Sequence, residues 1–331
     1  MTMKTSLRVF LCVLCAALIL CMPFTLPSAT MLDETMFQLL EEAGGEDEGL
    51  LRFLIPSASA EEETKKLPID FSAGSVPDET AFTEDSYMDG TISVTMETRE
   101  ENGVVWRIAW VSIQDASQLR TATAGKLTSS KVARPSAMAA DKNAVVAING
   151  DYYSNDPQKT TYEYRQGQKI RSNTNKKKDM LIIDENGDFH TVFKCGTNEG
   201  KAALKEILDA HEIVNCFTFG PVLVQNGEHL TMDKNYGYNP NGREPRAAIG
   251  QMGPLSYVLV IAEGRNSESS GATHQELADF MYALGCNEAF NLDGGNSATL
   301  IFHNQFYMNR TANSERAQSD IIYFASARDA E

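Results

Sequence analysis

Apolar, β-branched runs separated by polar turns dominate the chain from about residue 87 onward. Residues 91–98 alternate between apolar and polar side chains, and residues 104–113 are rich in aromatic and β-branched types. Glu101-Asn102-Gly103 lies between these runs, and such an arrangement predicts a β-hairpin. Turns near Gly167 and Gly187 predict two more hairpins. Further apolar runs predict strands at residues 144–148, 217–224, 256–261, 289–292 and 299–302.

Helical spacing is found in two segments, residues 201–211 and 273–285. In the second segment Thr273 is suited to cap the first turn, and Gly285 is suited to cap the last. Its apolar side chains fall on one face, at Leu277, Phe280, Met281 and Leu284. Because predicted strands outnumber predicted helices, we expect an α+β fold: a single domain with a mixed, curved β-sheet and a few packed helices.

The N-terminus carries an export pattern. Lys4 and Arg8 precede fourteen uncharged residues, 9–22, and a positive stretch followed by an apolar run of this length is typical of a secretion signal. The run is shorter than the roughly twenty residues that span a bilayer, and Pro27 stands beside the small residues suited to cleavage. Residues 1–30 are therefore predicted to be a signal peptide or an uncleaved signal-anchor. The protein is accordingly expected to be extracytoplasmic, either secreted or anchored to the membrane by this segment.

The acidic character of the chain is concentrated in one stretch. Between residues 31 and 85, fifteen acidic residues stand against Arg52, Lys65 and Lys66, so this stretch contributes −12 to the formal net charge of −16. A segment so charged and so poor in apolar residues cannot offset the entropy cost of ordering. Residues 31–86 are therefore interpreted as a linker or stalk that precedes a domain at residues 87–331.

The remaining residues give little reason to expect nucleic acid or a zinc centre. The one dense basic run, residues 176–178, is interpreted as a solvated loop tip, so nucleic acid is not an expected partner. Three cysteines follow the N-terminal segment and fit no zinc pattern; in an exported domain they permit one disulfide: Cys195, Cys216 and Cys286. The chain also lacks a G-x-S-x-G elbow, an H-E-x-x-H pair, a P-loop and an acidic calcium loop.

Three groups of polar residues lie at predicted strand ends, where binding and catalytic side chains often lie. Asn149-Gly150-Asp151 follows a strand directly and is either a functional turn or a polar turn beside packed tyrosines. Arg246 stands at a strand entrance; its planar fork suits phosphate or carboxylate, and a surface ion pair would explain it equally well. The turn at residues 291–297 joins an aspartate to two glycines, an asparagine and a serine. This turn is either a nest for an anion or sugar hydroxyl, or an ordinary Asp-Gly hairpin turn.

Five segments stand in order along the second half of the chain: AINGDYY at 147–153, FGPVLV at 219–224, PRAAIG at 245–250, GATHQELA at 271–278 and NLDGG at 291–295. With Asn309-Arg310 and Glu315-Arg316 near the end, they resemble the phosphodiester glycosidase family, typified by the lysosomal uncovering enzyme. The resemblance spans roughly residues 135–325. One position departs from the family pattern, because Asn296 stands where a third glycine is usual.

The resemblance implies a hydrolase that cleaves the bond between a sugar's anomeric carbon and a phosphodiester, in a cell-envelope or extracellular polysaccharide context. Carboxylates flank the oxocarbenium-like transition state of glycoside cleavage, so the catalytic candidates are Asp293, Glu276 and Asp151. On its predicted helix Glu276 is alternatively a capping or pairing residue. Substrate-binding candidates comprise arginines that would neutralise the phosphate and residues that would hold the sugar: Asn149, Gly220, Arg246, Gly294, Gly295, Asn296, Ser297, Arg310 and Arg316.

No cofactor is required by this chemistry, and no metal ligands are assigned. Calcium stays an alternative, because a few carboxylates near a glycine turn can hold it. The expected partner is a sugar-phosphate diester or envelope glycan, together with the membrane if the N-terminal segment is uncleaved. The rival interpretation is a non-catalytic envelope-glycan-binding module of the same fold, which the departure at Asn296 leaves open.

Overall fold

The computed structural model describes residues 65–127, 130–151, 162–309 and 315–328. The predicted signal at residues 1–30, most of the predicted linker, and Arg310 lie outside the described residues. The described helices are α1 Pro135–Asp141, α2 Asn198–Ala210 and α3 His274–Ala283. Among these helices, none is both long and apolar enough to cross a membrane.

Eighteen strands lie within the described residues: β1 Ser86–Met88, β2 Ile92–Glu101, β3 Val104–Ile113, β4 Leu119–Thr123, β5 Ala144–Asn149, β6 Tyr162–Arg165, β7 Gln168–Ser172, β8 Asp179–Asp184, β9 Phe189–Val192, β10 Ile213–Phe219, β11 Val222–Gln225, β12 Glu228–His229, β13 Arg246–Gly253, β14 Ser256–Ala262, β15 Glu288–Asn291, β16 Leu300–Phe302, β17 Gln305–Phe306 and β18 Asp320–Ala325. Short 3₁₀ turns lie at Glu79–Ala81, Ala116–Gln118 and Gly295–Ser297.

The strands form three sheets. The first has the order β1-β2-β3-β14-β13-β15-β11-β12, the second β7-β6-β10-β8-β9, and the third β17-β16-β5-β18-β4. Every pairing among these strands is antiparallel. The expected class of strands with a few packed helices is confirmed, but the single mixed sheet is replaced by three antiparallel ones. Parallel neighbours need a crossover of about a dozen residues or more, and the three helices supply few such connections.

The predicted hairpin of β2 and β3 is confirmed, with Glu101 paired to Val104 across a two-residue turn. Asn102 and Gly103 both take positive φ, 54° and 73°, as the tight turns that match strand twist require. The hairpins predicted near Gly167 and Gly187 are also confirmed, as β6–β7 and β8–β9. Local turn chemistry therefore determines these three pairings.

The apolar run at residues 217–224 is divided between two sheets. β10 ends at Phe219 in the second sheet, and β11 begins at Val222 in the first. Gly220 has a φ of 81°, a conformation that favours glycine, and Pro221 has no N–H to donate to a ladder. These two residues turn the chain from one sheet to the other and bring the end of β10 to the candidate site described below.

Both predicted helices are confirmed, with α2 and α3 close to the expected bounds. Thr273 accepts a hydrogen bond from the Glu276 N–H at the start of α3, and Gly285 takes a φ of 85° just after its end. The short α1 was not predicted, because seven residues give fewer than two full turns of periodicity.

The first sheet separates two apolar layers. In β13, Ile249 belongs to a core shared with strands of the other two sheets, whereas Ala248 faces Leu277 and Met281 of α3. This alternation is what the two-residue period of a strand requires when both faces are covered. Burial of α3 against β13 therefore fixes the strand that begins at Arg246.

The one disulfide that the three cysteines would permit does not form among the described residues. Cys195, Cys216 and Cys286 are buried and free, and each packs within an apolar cluster. They behave as small hydrophobic side chains, and the fold depends on packing in place of a crosslink.

Gly250→Ala is expected to lower the free energy of unfolding by about 1–3 kcal/mol, the usual cost of overpacking a core. A Cβ at Gly250 would lie 2.6 Å from Cys286 Sγ and 2.9 Å from Met281 Cε. Urea unfolding measures the change. Gly253→Ala on the same strand is the matched control, because a Cβ there meets nothing within 4 Å. An equal loss in both variants would contradict the packing explanation.

Candidate active site

A cavity of about 330 Å³ opens beside the turn that follows β15, at the small end of the range of about 300–1,000 Å³ for ligand pockets. It is lined by aromatic, acidic, basic and amide side chains together with the glycines of the turn: Phe219, Tyr238, Asn239, Glu244, Arg246, Arg265, residues 291–296 and Arg316. The cavity therefore combines positive and negative groups with an apolar wall.

The turn at residues 291–297 carries the chain from the first sheet to the third, since β15 and β16 belong to different sheets. The hairpin alternative is therefore wrong. Gly294 passes so close to Pro245 that a Cβ would lie 2.5 Å from its carbonyl oxygen. The Gly295 N–H donates to the same carbonyl at 2.8 Å, with a φ of 59°. Both glycines are needed for this backbone path.

Asn149 fixes the turn from the side of the third sheet. Its Nδ2 donates to the Asp293 carbonyl at 2.7 Å, and its Oδ1 accepts from the Thr299 N–H at 3.0 Å. The Asp293 N–H in turn donates to the Gly150 carbonyl at 3.3 Å. The polar segments predicted at residues 149–151 and 291–297 are thus neighbours. The buried Asn149 side chain connects them and does not itself line the cavity.

Asp151 lies behind the turn in a buried ionic cluster. Its carboxylate accepts from the Thr218 N–H at 2.8 Å and contacts Arg165 Nη2 at 3.0 Å. The same guanidinium also pairs with Asp320 and Glu163. Burial raises the pKa of Asp151 to about 7, with Asp320 and Glu163 adding to the rise and Arg165 opposing it. Burial and the neighbouring carboxylates thus disfavour the charged form of Asp151, while Arg165 favours it.

Lys178 is not the solvated tip that its basic run suggested. Its ammonium lies 3.4 Å from the centroid of the Tyr238 ring and 5.2 Å from that of Phe219, and it is hydrogen bonded to the Tyr238 hydroxyl. Burial lowers its pKa to about 8, while Asp179, Asp293 and Asp151 oppose that shift. Lys178 therefore lies beside two aromatic residues that line the cavity, Phe219 and Tyr238. Both are far from Lys178 in the sequence, so the fold brings them together.

Arg246 lines the cavity, yet its five donors are already engaged. They reach the carbonyls of Ala272, Tyr238, Asn239 and Gly242 and the His274 Nε2. The surface ion pair considered for Arg246 is therefore not found, since the side chain is buried and binds backbone. Burial lowers its pKa to about 10. The arginine holds the loop at residues 238–242 against the cavity.

Glu276 lies in the capping box of α3. One carboxylate oxygen accepts from the Thr273 N–H at 2.8 Å, and the other pairs with Arg243. These hydrogen bonds lower the pKa of Glu276 against the opposing effect of burial. Glu276 is absent from the residues that line the cavity, so its geometry favours the capping alternative over contact with substrate.

A chain of polar contacts that sequence reasoning missed crosses the cavity. Arg265 Nη2 pairs with Glu244 Oε2 at 2.7 Å, and its Nη1 donates to Asn296 Oδ1 at 3.0 Å. Glu244 also accepts from Asn239 Nδ2 at 3.0 Å. Glu244 directly precedes the PRAAIG segment, and Arg265 follows β14. Their positions next to strand ends were the one feature of the sequence that could have identified them as candidate site residues. Asn296 thus binds an arginine in the place of the usual glycine.

Three further predicted residues lie at or beside the cavity. Arg316 lines the cavity, and its Nη1 lies 3.4 Å from the buried Ser297 Oγ. Gly220 accepts a hydrogen bond from Asn291 Nδ2 at 2.8 Å, and it has no space for a side chain because Tyr236 and Asp179 lie against it. The Asn291 Oδ1 is buried and has no hydrogen-bond donor among the described residues. An acceptor in that state is suited to a ligand hydroxyl.

The sequence model of the phosphodiester glycosidase family matches residues 142–325. The match covers more than half of the chain, and the chain belongs to the phosphodiester glycosidase family. The resemblance predicted over residues 135–325 is thereby confirmed. The roles of individual site residues stay predictions.

Known proteins of similar fold agree with this membership. The catalytic domain of zebrafish N-acetylglucosamine-1-phosphodiester α-N-acetylglucosaminidase, auto-inhibited by its pro-peptide, superposes with a TM-score of 0.55 at 17% identity, over 71% of this chain and 82% of that chain. A hypothetical protein from Synechocystis gives a TM-score of 0.50 at 17% identity, over 70% and 62% of the two chains. At such identities the likeness shows the fold alone.

A curated relative is the SPbeta prophage-derived uncharacterized protein YomE of Bacillus subtilis (strain 168). The two are 32% identical over 117 residues, which is 35% of this chain and 18% of YomE. The chain therefore spans less than a fifth of the length of this relative.

Arg246→Lys is expected to lower the free energy of unfolding by about 2–4 kcal/mol, because each buried acceptor left unpaired costs about 1–3 kcal/mol. A compact ammonium cannot reproduce the fork that reaches four carbonyls. Urea unfolding measures the loss. Arg265→Lys is the matched control at a side chain 46% exposed, with an expected loss below about 1 kcal/mol. Equal losses would mean that Arg246 does not hold the loop.

Proposed function

We propose that this protein hydrolyses the glycosidic bond of a sugar-1-phosphate diester in a cell-envelope or extracellular polysaccharide. The observation that carries the proposal is one cavity in which Asp293 and Glu244 lie with Arg265 and Arg316. Family membership supports the hydrolytic reaction. The name of the zebrafish neighbour specifies a sugar-1-phosphodiester bond for that protein, and the present chain is proposed to act on the same class of bond.

The cations are proposed to bind the phosphodiester. Arginine forks match phosphate oxygens bidentately, and Arg265 and Arg316 both line the cavity. Lys178 adds a third positive charge beside the aromatic wall. Fixed positive charge at a departing phosphate stabilises the transition state without any proton transfer to it. Arg246 is proposed to act indirectly, by positioning the loop that carries Tyr238 and Asn239.

The sugar is proposed to lie between the aromatic wall and the turn. Phe219 and Tyr238 stack with ring centroids 4.2 Å apart and planes at 6°, and Phe219 and Tyr238 both line the cavity. A ring face offers an apolar surface to the C–H groups of a sugar. The unsatisfied Asn291 Oδ1 would accept a hydroxyl proton, which removes the cost of leaving that atom unpaired.

Asp293 is proposed as the carboxylate that acts at the anomeric carbon. Water oxygen forms the new bond to that carbon, the bond to the phosphate oxygen breaks with its electron pair on the phosphate, and a carboxylate accepts the water proton. Glycoside cleavage places carboxylates beside an oxocarbenium-like transition state. Asp151 is proposed to contribute from behind the turn, where its charge acts on Lys178. Glu276 is proposed to support α3 as a cap.

One observation favours the rival proposal of a non-catalytic glycan-binding module. The amide of Asn296 accepts from Arg265, and this contact occupies a donor that would otherwise be available to phosphate. A ligand must therefore displace or share that donor. The extracytoplasmic location and the membrane anchor remain expectations from the sequence, as does a reaction that requires no cofactor, with calcium as the alternative.

Asp293→Asn is expected to lower turnover of a sugar-1-phosphate diester with a chromogenic leaving group by at least about 100-fold, the lower range for loss of an acid–base group. The thermal unfolding midpoint should stay close to that of the unmodified protein. Asp279→Asn is the control, since Asp279 is exposed on α3 and paired with His229. Release of sugar at the unmodified rate by Asp293→Asn would reject the catalytic role. An unmodified protein that binds envelope polymer but cleaves no diester of a panel would favour the binding module.

The affinity for a sugar-1-phosphate diester is expected to fall as pH rises through about 8. Burial lowers the pKa of Lys178 to about 8, so its ammonium is present below that pH and is lost above it. A guanidinium stays charged throughout this range. Lys178→Arg should therefore bind with little change between about pH 7 and 9.5. Inhibition constants of a slowly cleaved diester across this range measure the effect. A pH-dependent fall of equal size in Lys178→Arg would show that another group is responsible.

A further inference from the structure

A second cluster of ligand-forming side chains lies at the far end of β8, the strand whose first residue packs beside Gly220. β8 begins at Asp179, which accepts from the Val222 N–H at 3.0 Å near Gly220, and it ends at Asp184. Five residue steps separate these ends by about 17 Å, given a rise of about 3.3 Å per residue. At the distal end Asp184 meets two histidines, His190 of β9 and His211 at the end of α2.

The ligand atoms of the three side chains lie close together. Asp184 Oδ2 lies 3.0 Å from His190 Nε2 and 3.0 Å from His211 Nδ1, and the three ligand atoms all lie within 4.8 Å of one another. In a tetrahedral zinc site with bonds of about 2.0–2.1 Å, neighbouring ligand atoms are about 3.3 Å apart. A divalent ion would therefore require shifts of only a few tenths of an ångström along the two shorter edges.

The carboxylate is held in the orientation that a metal needs. Asp184 Oδ1 accepts from the N–H groups of Asn186 and Asp188 at 2.8 and 2.9 Å. These two bonds leave Oδ2 directed at the imidazoles, and outer contacts of this kind orient metal ligands in known sites. Since Asp184 is buried, its position is determined by the β8–β9 turn and not by solvent.

His211 supplies the observation that separates a metal site from an ordinary histidine–aspartate pair. Its Nδ1 is buried and 3.0 Å from Asp184 Oδ2, yet it forms no hydrogen bond of acceptable geometry with any described residue. His190 Nε2 does form a hydrogen bond with this Asp184 oxygen at 3.0 Å, so the oxygen already has one imidazole partner and the His211 nitrogen lies beside it without one. The ring is close enough for a hydrogen bond but is directed away from one.

We propose that Asp184, His190 and His211 bind a divalent first-row transition metal ion, with zinc as the test ion. Two imidazoles and one carboxylate form a ligand set suited to such ions and poorly suited to magnesium or calcium, which prefer oxygen ligands alone. The histidine side chains are 25% and 31% exposed, so water can complete the coordination. The site is independent of the proposed hydrolysis and of the calcium alternative.

The ion would join the C-terminal end of α2 to the β8–β9 hairpin. The His211 N–H already closes the helix by donating to the Ile207 carbonyl at 2.9 Å, and the Glu212 N–H donates to Glu185 Oε2 at 2.9 Å. The two elements are thus in contact before any metal binds. A bound ion would stabilise the folded state by an amount that rises with the logarithm of the free-ion concentration above the dissociation constant, and its proposed role is structural.

Isothermal titration of the chelator-treated full-length chain with zinc sulfate tests the proposal, on protein that carries no histidine tag. The expected result is one ion per chain and a thermal unfolding midpoint that is higher with zinc than in the chelator-treated protein and rises further with excess zinc. His190→Gln and His211→Gln should each weaken binding by at least about 10-fold, as loss of a direct ligand costs no less than loss of an outer contact. Cobalt in place of zinc should give a visible absorption band that both variants lose.

His229→Gln is the matched control, because His229 pairs with Asp279 at 2.7 Å and belongs to no three-ligand group in the described part of the chain. Its zinc affinity should equal that of the unmodified protein. The unfolding midpoint of each metal-free variant shows that it folds. Absence of zinc binding, or binding that survives both His190→Gln and His211→Gln, would overturn the proposal. Neither result would bear on cleavage of sugar diesters, which depends on Asp293.

Discussion

The amide of Asn149 holds together two sheets that no hairpin connects at this point. The chain leaves the first sheet after β15 and enters the third at β16, and the connecting turn carries the backbone of Asp293. Asn149 binds the Asp293 carbonyl and the Thr299 N–H, one on each side of the crossing. A buried amide with both ends satisfied resists rotation, so the Asp293 backbone is placed by the central strand of the third sheet.

The buried arginines and the exposed arginines of this region have different binding partners. Arg165 and Arg246 are buried, and their donors are used by carboxylates or backbone carbonyls. Arg265 and Arg316 line the cavity together with Arg246, but unlike Arg246 they are exposed to solvent. Guanidinium groups in the interior position loops and strands because they satisfy several acceptors at once. Those at the cavity edge give it the positive charge on which the proposed binding of a phosphodiester depends.

Opposite charges lie close together in this small cavity. Glu244 pairs with Arg265, and the charge of Asp293 acts on Lys178. The proposed ligand, which carries both a sugar and a phosphate, would therefore contact groups of both signs. The departure at Asn296 adds a side-chain contact to Arg265 where a glycine would leave that donor accessible, and this contact sets the present chain apart within its family pattern.

The sequence by itself determined the elements with strong local signals. The Asn102-Gly103 turn, the amphipathic face of α3 and the ordered family segments depend on neighbouring residues, and each was identified correctly. It could not determine which sheet a strand would join, whether Glu276 would cap a helix or face a substrate, or that Lys178 would lie against Tyr238. Those outcomes depend on contacts between residues far apart in the chain, such as Lys178 with Tyr238 and Arg265 with Asn296. Local residue patterns carry no record of such partners, so only the tertiary structure decided them.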